Sequence, residues 1–380
     1  MKNIALVYDR LNKIGGAEVI LRQLHSFWPQ APWYTSVYQS KSLPFTHSWQ
    51  IKTSFIQSIP YLSNHHELIP YLMPFAFENF DFSSYDLVIS ISSAEAKGII
   101  TLPQTFHLHY CLTPTRYLWS HAEAYLNDNQ FQWLKRFGRP LVKTIHNWLR
   151  RWDLIAATRP DAIITISQHV RRRIQKYYQR DAQVIYPPVE INKFTRKQDP
   201  PPEAKTGYYL TVARLVPYKQ LDFLINAFTH LPNQQLIIIG DGVDRRRLQK
   251  MAPTNVIFKG FVDDQTLISY YQFAKAFIQV NEEDFGIAMV EAQAAGIPVL
   301  AYGVGGACEI VTPQTGVLFT EQKLDNFLHA LAKLETMKFL KTDLRRNASR
   351  FSPSVFRQQF INTVEALWNQ HIQKLKITSM

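Results

Sequence analysis

A chain of 380 residues, 46% hydrophobic and 13% aromatic, is too long for one ordinary core and suits two packed domains of about 150–200 residues each. Its formal net charge of +12 calls for an anionic partner: nucleic acid, membrane phospholipid or a sugar nucleotide. No helix-turn-helix, RNA-recognition or zinc-finger signature supports the first, so nucleic acid is set aside.

In chain order, residues 3–9 read as a strand entering a fold rather than as a signal peptide, which needs a longer apolar region and a cleavage site. Residues 4–8, 87–91, 106–111 and 162–166 read as buried strands with less regular helical material between them. Within the third, His107 and His109 alternate and share a face, which suggests a metal pair, but nothing supplies a third ligand and no metal is expected. The two cysteines, Cys111 and Cys308, imply no disulfide framework and no cysteine-based metal site, and fit a reducing cytoplasm.

Between Trp133 and Trp152 the chain carries Lys135, Arg136, Arg139, Lys143, Arg150 and Arg151 with no acid, interleaved with Phe137 and Trp148. Such a mixture suits an interfacial helix on an anionic membrane. Gly138 and Pro140 interrupt the pattern, and the aromatics also suit a domain core. No apolar run reaches the 18 or so residues that a membrane-spanning helix requires.

Pro187-Pro188 and the run from Asp199 to Pro202 bracket a polar stretch, which sets the expected domains at 1–187, a linker at 188–206, 207–350 and a terminal segment 351–380. From 208 onward strands and helices alternate, with strands at 236–239, 256–259, 277–280 and 299–302, the pattern of a parallel sheet covered on both faces. Val355, Phe356, Phe360, Val364 and Leu367 recur at helical spacing near the end.

Two segments of the second half carry chemistry. Residues 208–219 read as a strand, a tight loop and then a helix start, with Arg214 and Lys219 in the loop. The helix dipole disfavours a cation there, so Lys219 asks for an anionic partner such as a diphosphate; a solvated surface pair is the plainer reading. In the second segment a buried strand leads to Glu283 in a loop and to a helix at 286–295, closed by Gly296 and Pro298. Glu291 lies about one and a half turns into that helix, so both carboxylates can border a ligand whose anionic part rests on the helix N-terminus. Alternatively Glu282, Glu283 and Asp284 simply stabilise the helix start, by about 0.3–1 kcal/mol each.

These segments together resemble the retaining glycosyltransferases of family four, the glycosyl transferases group 1. The resemblance rests on Arg214 with Lys219, Gly240-Asp241-Gly242, Gly260-Phe261-Val262, Glu283 with Glu291, and Gly303-Val304-Gly305-Gly306 in the second half, and on Gly15-Gly16-Ala17-Glu18 in the first. The wording Glu283-Asp284-Phe285-Gly286-Ile287, the runs 85–90 and 96–98, and Thr113-Pro114-Thr115-Arg116-Tyr117 are similar to O-antigen and exopolysaccharide enzymes that use GDP-mannose. Two positions depart from the wider family: Leu112 stands where many relatives carry a His that contacts the donor sugar, and Asp284 replaces the commoner Gly.

The resemblance implies the GT-B fold, two Rossmann-like doubly wound α/β domains facing across a cleft, with the last helix crossing back to the first domain. It implies hexose transfer from a nucleotide-diphosphate sugar to a glycan or polyprenyl-linked glycan, without cofactor or metal, in the cytoplasm or on the inner face of the plasma membrane. Arg214 and Lys219 are then expected to neutralise the leaving pyrophosphate, Glu283 to hold sugar hydroxyls and Glu291 the ribose, while Gly15 and Gly16 let backbone approach the phosphates. Gly240, Gly242, Val262, Asp284, Phe285, Gly286 and Ile287 are expected to line the ligand. Arg116 is expected in the cleft, and His109 is a candidate stand-in for the His missing at Leu112. A dinucleotide-dependent oxidoreductase is the rival from another class, but none of the glycine clusters completes its fingerprint. A sugar-nucleotide-binding protein without transferase activity, a transferase using UDP-sugars, and an epimerase or phosphorylase on the same fold remain alternatives.

Overall fold

A computed structural model of the chain describes residues 2–13, 15–60, 69–120, 122 and 138–378. They form two compact units, Met1–Tyr186 together with Arg357–Met380, and Pro187–Phe356.

The first unit is built on seven strands: β1 (Ile4–Tyr8), β2 (Trp33–Thr35), β3 (Ile51–Thr53), β4 (Leu87–Ser92), β5 (Phe106–Cys111), β6 (Ala162–Thr165) and β7 (Gln183–Val184). All pair in parallel, in the order β3-β2-β1-β4-β5-β6-β7. Every residue of β4 and β5 is buried, as expected for the centre of a parallel sheet covered on both faces. Its helices are α1 (Glu18–Phe27), α2 (Met73–Glu78), α3 (Arg139–Thr158) and α4 (Gln168–Tyr178). Ser167 caps α4 by accepting from the N–H of Val170.

The second unit repeats the plan with β8 (Tyr208–Val212), β9 (Gln235–Ile239), β10 (Val256–Gly260), β11 (Ala276–Gln279), β12 (Val299–Tyr302) and β13 (Gly316–Phe319), parallel in the order β10-β9-β8-β11-β12-β13. Around them lie α5 (Leu221–Thr229), α6 (Arg245–Met251), α7 (Asp264–Phe273), α8 (Ile287–Ala295), α9 (Ala307–Ile310), α10 (Leu324–Thr336) and α11 (Lys341–Ser349). Leu224 and Phe228 of α5, Ile238, Ile278, Leu300 and Phe327 share one core.

Residues 188–206, expected as a linker, are instead packed as part of this second unit. Val189 and Phe194 are buried, the N–H of Val189 bonds to the carbonyl of Phe351 at 2.8 Å, and the Phe194 ring meets Tyr271 edge-on at 5.3 Å. The last helix, α12 (Pro353–Thr378), belongs to the first unit from Arg357 onward. There Phe360 is buried against Phe27, Trp28 and Tyr110. Among the described residues no helix is long and apolar enough to cross a membrane.

Candidate active site

In the second sheet the strand order reverses between β8 and β11, and the crevice outside the C-terminal ends of two such strands is where open parallel sheets bind ligands. Both chemistry-bearing segments arrive there. Lys219 ends a 3-10 turn, Pro217–Lys219, and Gln220, at φ 52°, turns the chain into α5. The Lys219 ammonium donates to Oε1 of Glu283, and the two side chains are only 15% and 18% exposed. The anionic partner that the position of Lys219 demands is therefore supplied by the chain itself.

The same carboxylate oxygen accepts from Nδ2 of Asn281 at 3.2 Å and from Nε2 of Gln279 at 3.3 Å. One ammonium and two amides thus hold Glu283 as a charged acceptor. Its main chain is equally constrained: the Glu283 carbonyl accepts from the N–H of Gly306 at 2.8 Å. A Cβ on Gly305 would lie 2.3 Å from that carbonyl, and one on Gly306 would lie 1.9 Å from the carbonyl of Phe285. Gly305 and Gly306 are glycine because two backbones meet there. Arg214 is exposed, and its Nη2 donates to the Tyr218 hydroxyl at 3.0 Å, while the Lys219 ammonium lies 5.6 Å from the Tyr218 ring centre.

Glu291 lies in the second turn of α8. The Tyr271 hydroxyl donates to its Oε2 at 3.0 Å. Burial pushes the carboxyl up to about 7, against the pull of Lys193 and the Tyr271 hydrogen bond, with Asp264 adding to the rise. Its charge therefore appears across the neutral range rather than below it.

Phe285 is a core residue, 3% exposed and edge-on to Phe351 at 5.3 Å. Asp284 is buried, Ile287 half-buried, and Gly286, at φ 105°, starts α8. Gly240 and Gly242 serve close packing: a Cβ would come within 2.0 Å of the Ala213 carbonyl or 2.2 Å of the Leu215 carbonyl. The main chain there is tied by Leu215 N–H to the Asp241 carbonyl at 2.9 Å and Asp244 N–H to the Leu215 carbonyl at 3.0 Å. These glycines set the position of the loop that carries Arg214. Val262 is half-buried beside Phe261, which is almost fully exposed.

In the first unit Gly15 and Gly16 are exposed just before α1, and Arg116 is half-buried after β5. His109, the candidate stand-in for a ligand-contacting His, is a buried core residue instead. Its Nδ1 lies 3.1 Å from the Ser90 hydroxyl, which also meets Nε2 of His107 at 2.8 Å. Burial holds His109 well below the usual range and lowers His107 to about 3, so both rings are neutral. Because β5 is covered on both faces, alternation along it does not lead to a cleft. Among the described residues no group of three or more side chains suits a metal ion. Asn281 and Gln279 were not foreseen; a polar Gln closing an otherwise apolar strand was the available signal.

Residues 192–351 match the family model for glycosyl transferases group 1. Over 249 residues the chain is 29% identical to the GDP-mannose-dependent monoacylated alpha-(1-6)-phosphatidylinositol monomannoside mannosyltransferase of Corynebacterium glutamicum, covering 59% of this chain and 62% of that one. Over 140 residues it is 34% identical to a GDP-mannose-dependent alpha-mannosyltransferase of Mycobacterium tuberculosis, 36% of each. The chain thus matches less than two thirds of the length of these relatives. Among solved structures, sucrose-phosphate synthase from Thermosynechococcus elongatus superposes with a TM-score of 0.70 at 17% identity, over 97% of this chain and all of that one. The Anabaena protein HepE in complex with UDP-glucose gives 0.68 at 19% identity, over 96% and 99%. The fold is GT-B, two Rossmann-like parallel-sheet units. The match to the glycosyl transferases group 1 falls within the second unit, Pro187–Phe356.

Proposed function

We propose that this protein is a retaining glycosyltransferase that moves mannose from GDP-mannose to a glycan or lipid-linked glycan acceptor. The observation that carries the reading is the Lys219–Glu283 pair at the β8/β11 reversal, with Arg214 beside it. A diphosphate drawn to Arg214, Lys219 and the start of α8 releases Glu283 to accept from sugar hydroxyls. The bond from the sugar's anomeric carbon to the phosphate oxygen breaks and the acceptor oxygen bonds to that carbon on the same face. The acceptor's proton passes to the departing diphosphate, which acts as the base. Arg214 and Lys219 supply the charge that the leaving group needs, so the step is proposed to run without a metal. Glu291, whose carboxyl gives up its proton across the neutral range, accepts from the ribose.

A thermal-shift panel of GDP, UDP, ADP and their sugar conjugates tests this directly, since a ligand at about 100 times its Kd stabilises by about 2.7 kcal/mol. GDP and GDP-mannose are expected to give the largest shifts, and product analysis an alpha linkage. Binding and turnover of UDP-sugars alone would overturn the donor and favour a UDP-sugar transferase, the chemistry of the ligand in the HepE complex.

The proposal places the enzyme on an anionic membrane through α3. Trp148, Leu154 and Ile155 are exposed, and the Trp148 ring stacks on exposed Phe75 at 6.0 Å. Lys143, Arg150 and Arg151 are exposed on the same helix, whose one acid, Asp153, is buried. Residues 133–137 of the sequence pattern lie outside the described residues. Changing Lys143, Arg150 and Arg151 to Gln should weaken co-sedimentation with anionic liposomes by on the order of 100-fold at low salt, at about 1 kcal/mol per charge. Equal binding of wild type to anionic and neutral liposomes at low salt would remove electrostatic docking.

A further inference from the structure

Gln220 holds a strained backbone. It has φ 52° and ψ 35°, the left-handed region that glycine enters freely and a residue with a Cβ enters at a cost. Of the described residues other than glycine only Gln179 shares it, and Gln179 closes α4, where that conformation is ordinary. Gln220 instead precedes the first turn of α5, where extended dihedrals are the rule. Such strain persists where surrounding contacts over-determine it, and it gathers at working sites.

A single amide holds the Gln220 side chain. Nε2 of Gln322, in the loop after β13, donates to Oε1 of Gln220 and to the carbonyl of Val280 at 2.6 Å. Gln220 directly follows Lys219, and Val280 stands between Gln279 and Asn281, the two amides on Glu283. Gln322 lies 102 residues from Gln220 and 42 from Val280. It is anchored in turn, since Phe319 before it and Phe327 after it are buried and meet edge-on at 5.8 Å. One side chain thus links the segments that follow β8, β11 and β13.

We propose that Gln322 is a positioning residue for the Lys219–Glu283 pair, acting on Lys219 through Gln220 and on Glu283 through the Val280 main chain; this rests on the glycosyl-transfer reading of that pair. The ammonium of a lysine ends a flexible four-carbon stem, so its place depends on how firmly its main chain is fixed. The 3-10 turn fixes that main chain on one side, with the Lys219 N–H on the Val216 carbonyl and the Gln220 N–H on the Pro217 carbonyl, each at 3.0 Å. The Gln220 side chain fixes it on the other. For the fold alone glycine would serve at 220, since it takes this conformation without strain; what glutamine adds is the amide oxygen that Gln322 binds. Gln322 brings no charge to the site, and its contribution is geometry.

The test follows GDP release from GDP-mannose by the full chain, with methyl α-mannoside as acceptor. Gln322→Met keeps the length of the side chain and removes both N–H donors. It should lower kcat at least about tenfold, as a small misplacement of a charged group does, with the KM for GDP-mannose within about twofold of wild type. Added to Lys219→Ala it should cost nothing further, because it acts through the same pair. Gln220→Gly relieves the strained backbone and removes the amide oxygen, so it should melt about as high as wild type and yet lose kcat by a similar factor. That separation of rate from stability is what a purely structural role would not give, and it decides the matter even if Gln322→Met melts lower. Wild-type kcat in Gln322→Met or in Gln220→Gly, while Lys219→Ala is slow, overturns this proposal alone, as do losses in Gln322→Met and Lys219→Ala that multiply. A wild type that releases no GDP, or a Lys219→Ala variant as fast as wild type, overturns the reading of the pair and this proposal with it.

Discussion

Changing Glu283→Gln or Lys219→Ala should cost on the order of 10² or more in turnover while moving the melting temperature little. The structure sharpens the reason. Glu283→Gln keeps an oxygen that can accept from Lys219 and Asn281, so the local hydrogen bonds survive while the charge that sugar hydroxyls are proposed to meet is lost. Lys219→Ala leaves a part-exposed carboxylate still held by Asn281 and Gln279, so folding is nearly spared. If the two act as a unit on the bound donor, the double variant should be no slower than the worse single one, since both losses remove the same event. Kinetics on the purified variants, with melting curves alongside, decide the matter. Near-normal turnover in both single variants would remove this site from the chemistry.

The parts of this site that could be read in sequence are those fixed by local pattern. Apolar runs marked β8, β9, β11 and β12, and the placement of Glu283 between a strand and a glycine-started helix followed from strand period and cap chemistry. What could not be read is whatever depends on contact across the sheet. Lys219 announced its need for an anion, but Glu283 lies 64 residues away and becomes its neighbour only because β8 and β11 are adjacent. Gly240 and Gly242 meet the Ala213 and Leu215 carbonyls of a loop after another strand, a contact that no local pattern shows. Residues 188–206 looked like a linker from their prolines and polar residues, yet Phe194 against Tyr271, Val189 on Phe351 and Glu203 on Lys259 fasten them to the second unit. His109 misled for a related reason: period two names a face, and in β5 both faces are inside.

Lys97→Met should destabilise the first unit by about 3–5 kcal/mol, the cost of leaving a buried charge unpaired. Lys97 and Asp153 are 2% and 1% exposed, with Nζ 2.5 Å from Oδ1. Lys97 also donates to the Thr115 hydroxyl at 3.0 Å, and Asp153 accepts from that hydroxyl at 2.7 Å and from the Trp119 indole N–H at 2.8 Å. One ion pair thus ties the turn after β4, the loop after β5 and α3. Adding Asp153→Asn to Lys97→Met removes the orphaned charge and keeps an acceptor for Trp119, so it should regain about 1–3 kcal/mol. The measurement has an unusually clean reporter. All eight tryptophans lie outside residues 187–356, so indole fluorescence during urea unfolding follows the first unit alone. A Lys97→Met variant within about 1 kcal/mol of wild type would mean that water reaches the pair, and a double variant no more stable than the single would mean that the unpaired carboxylate is not what costs stability.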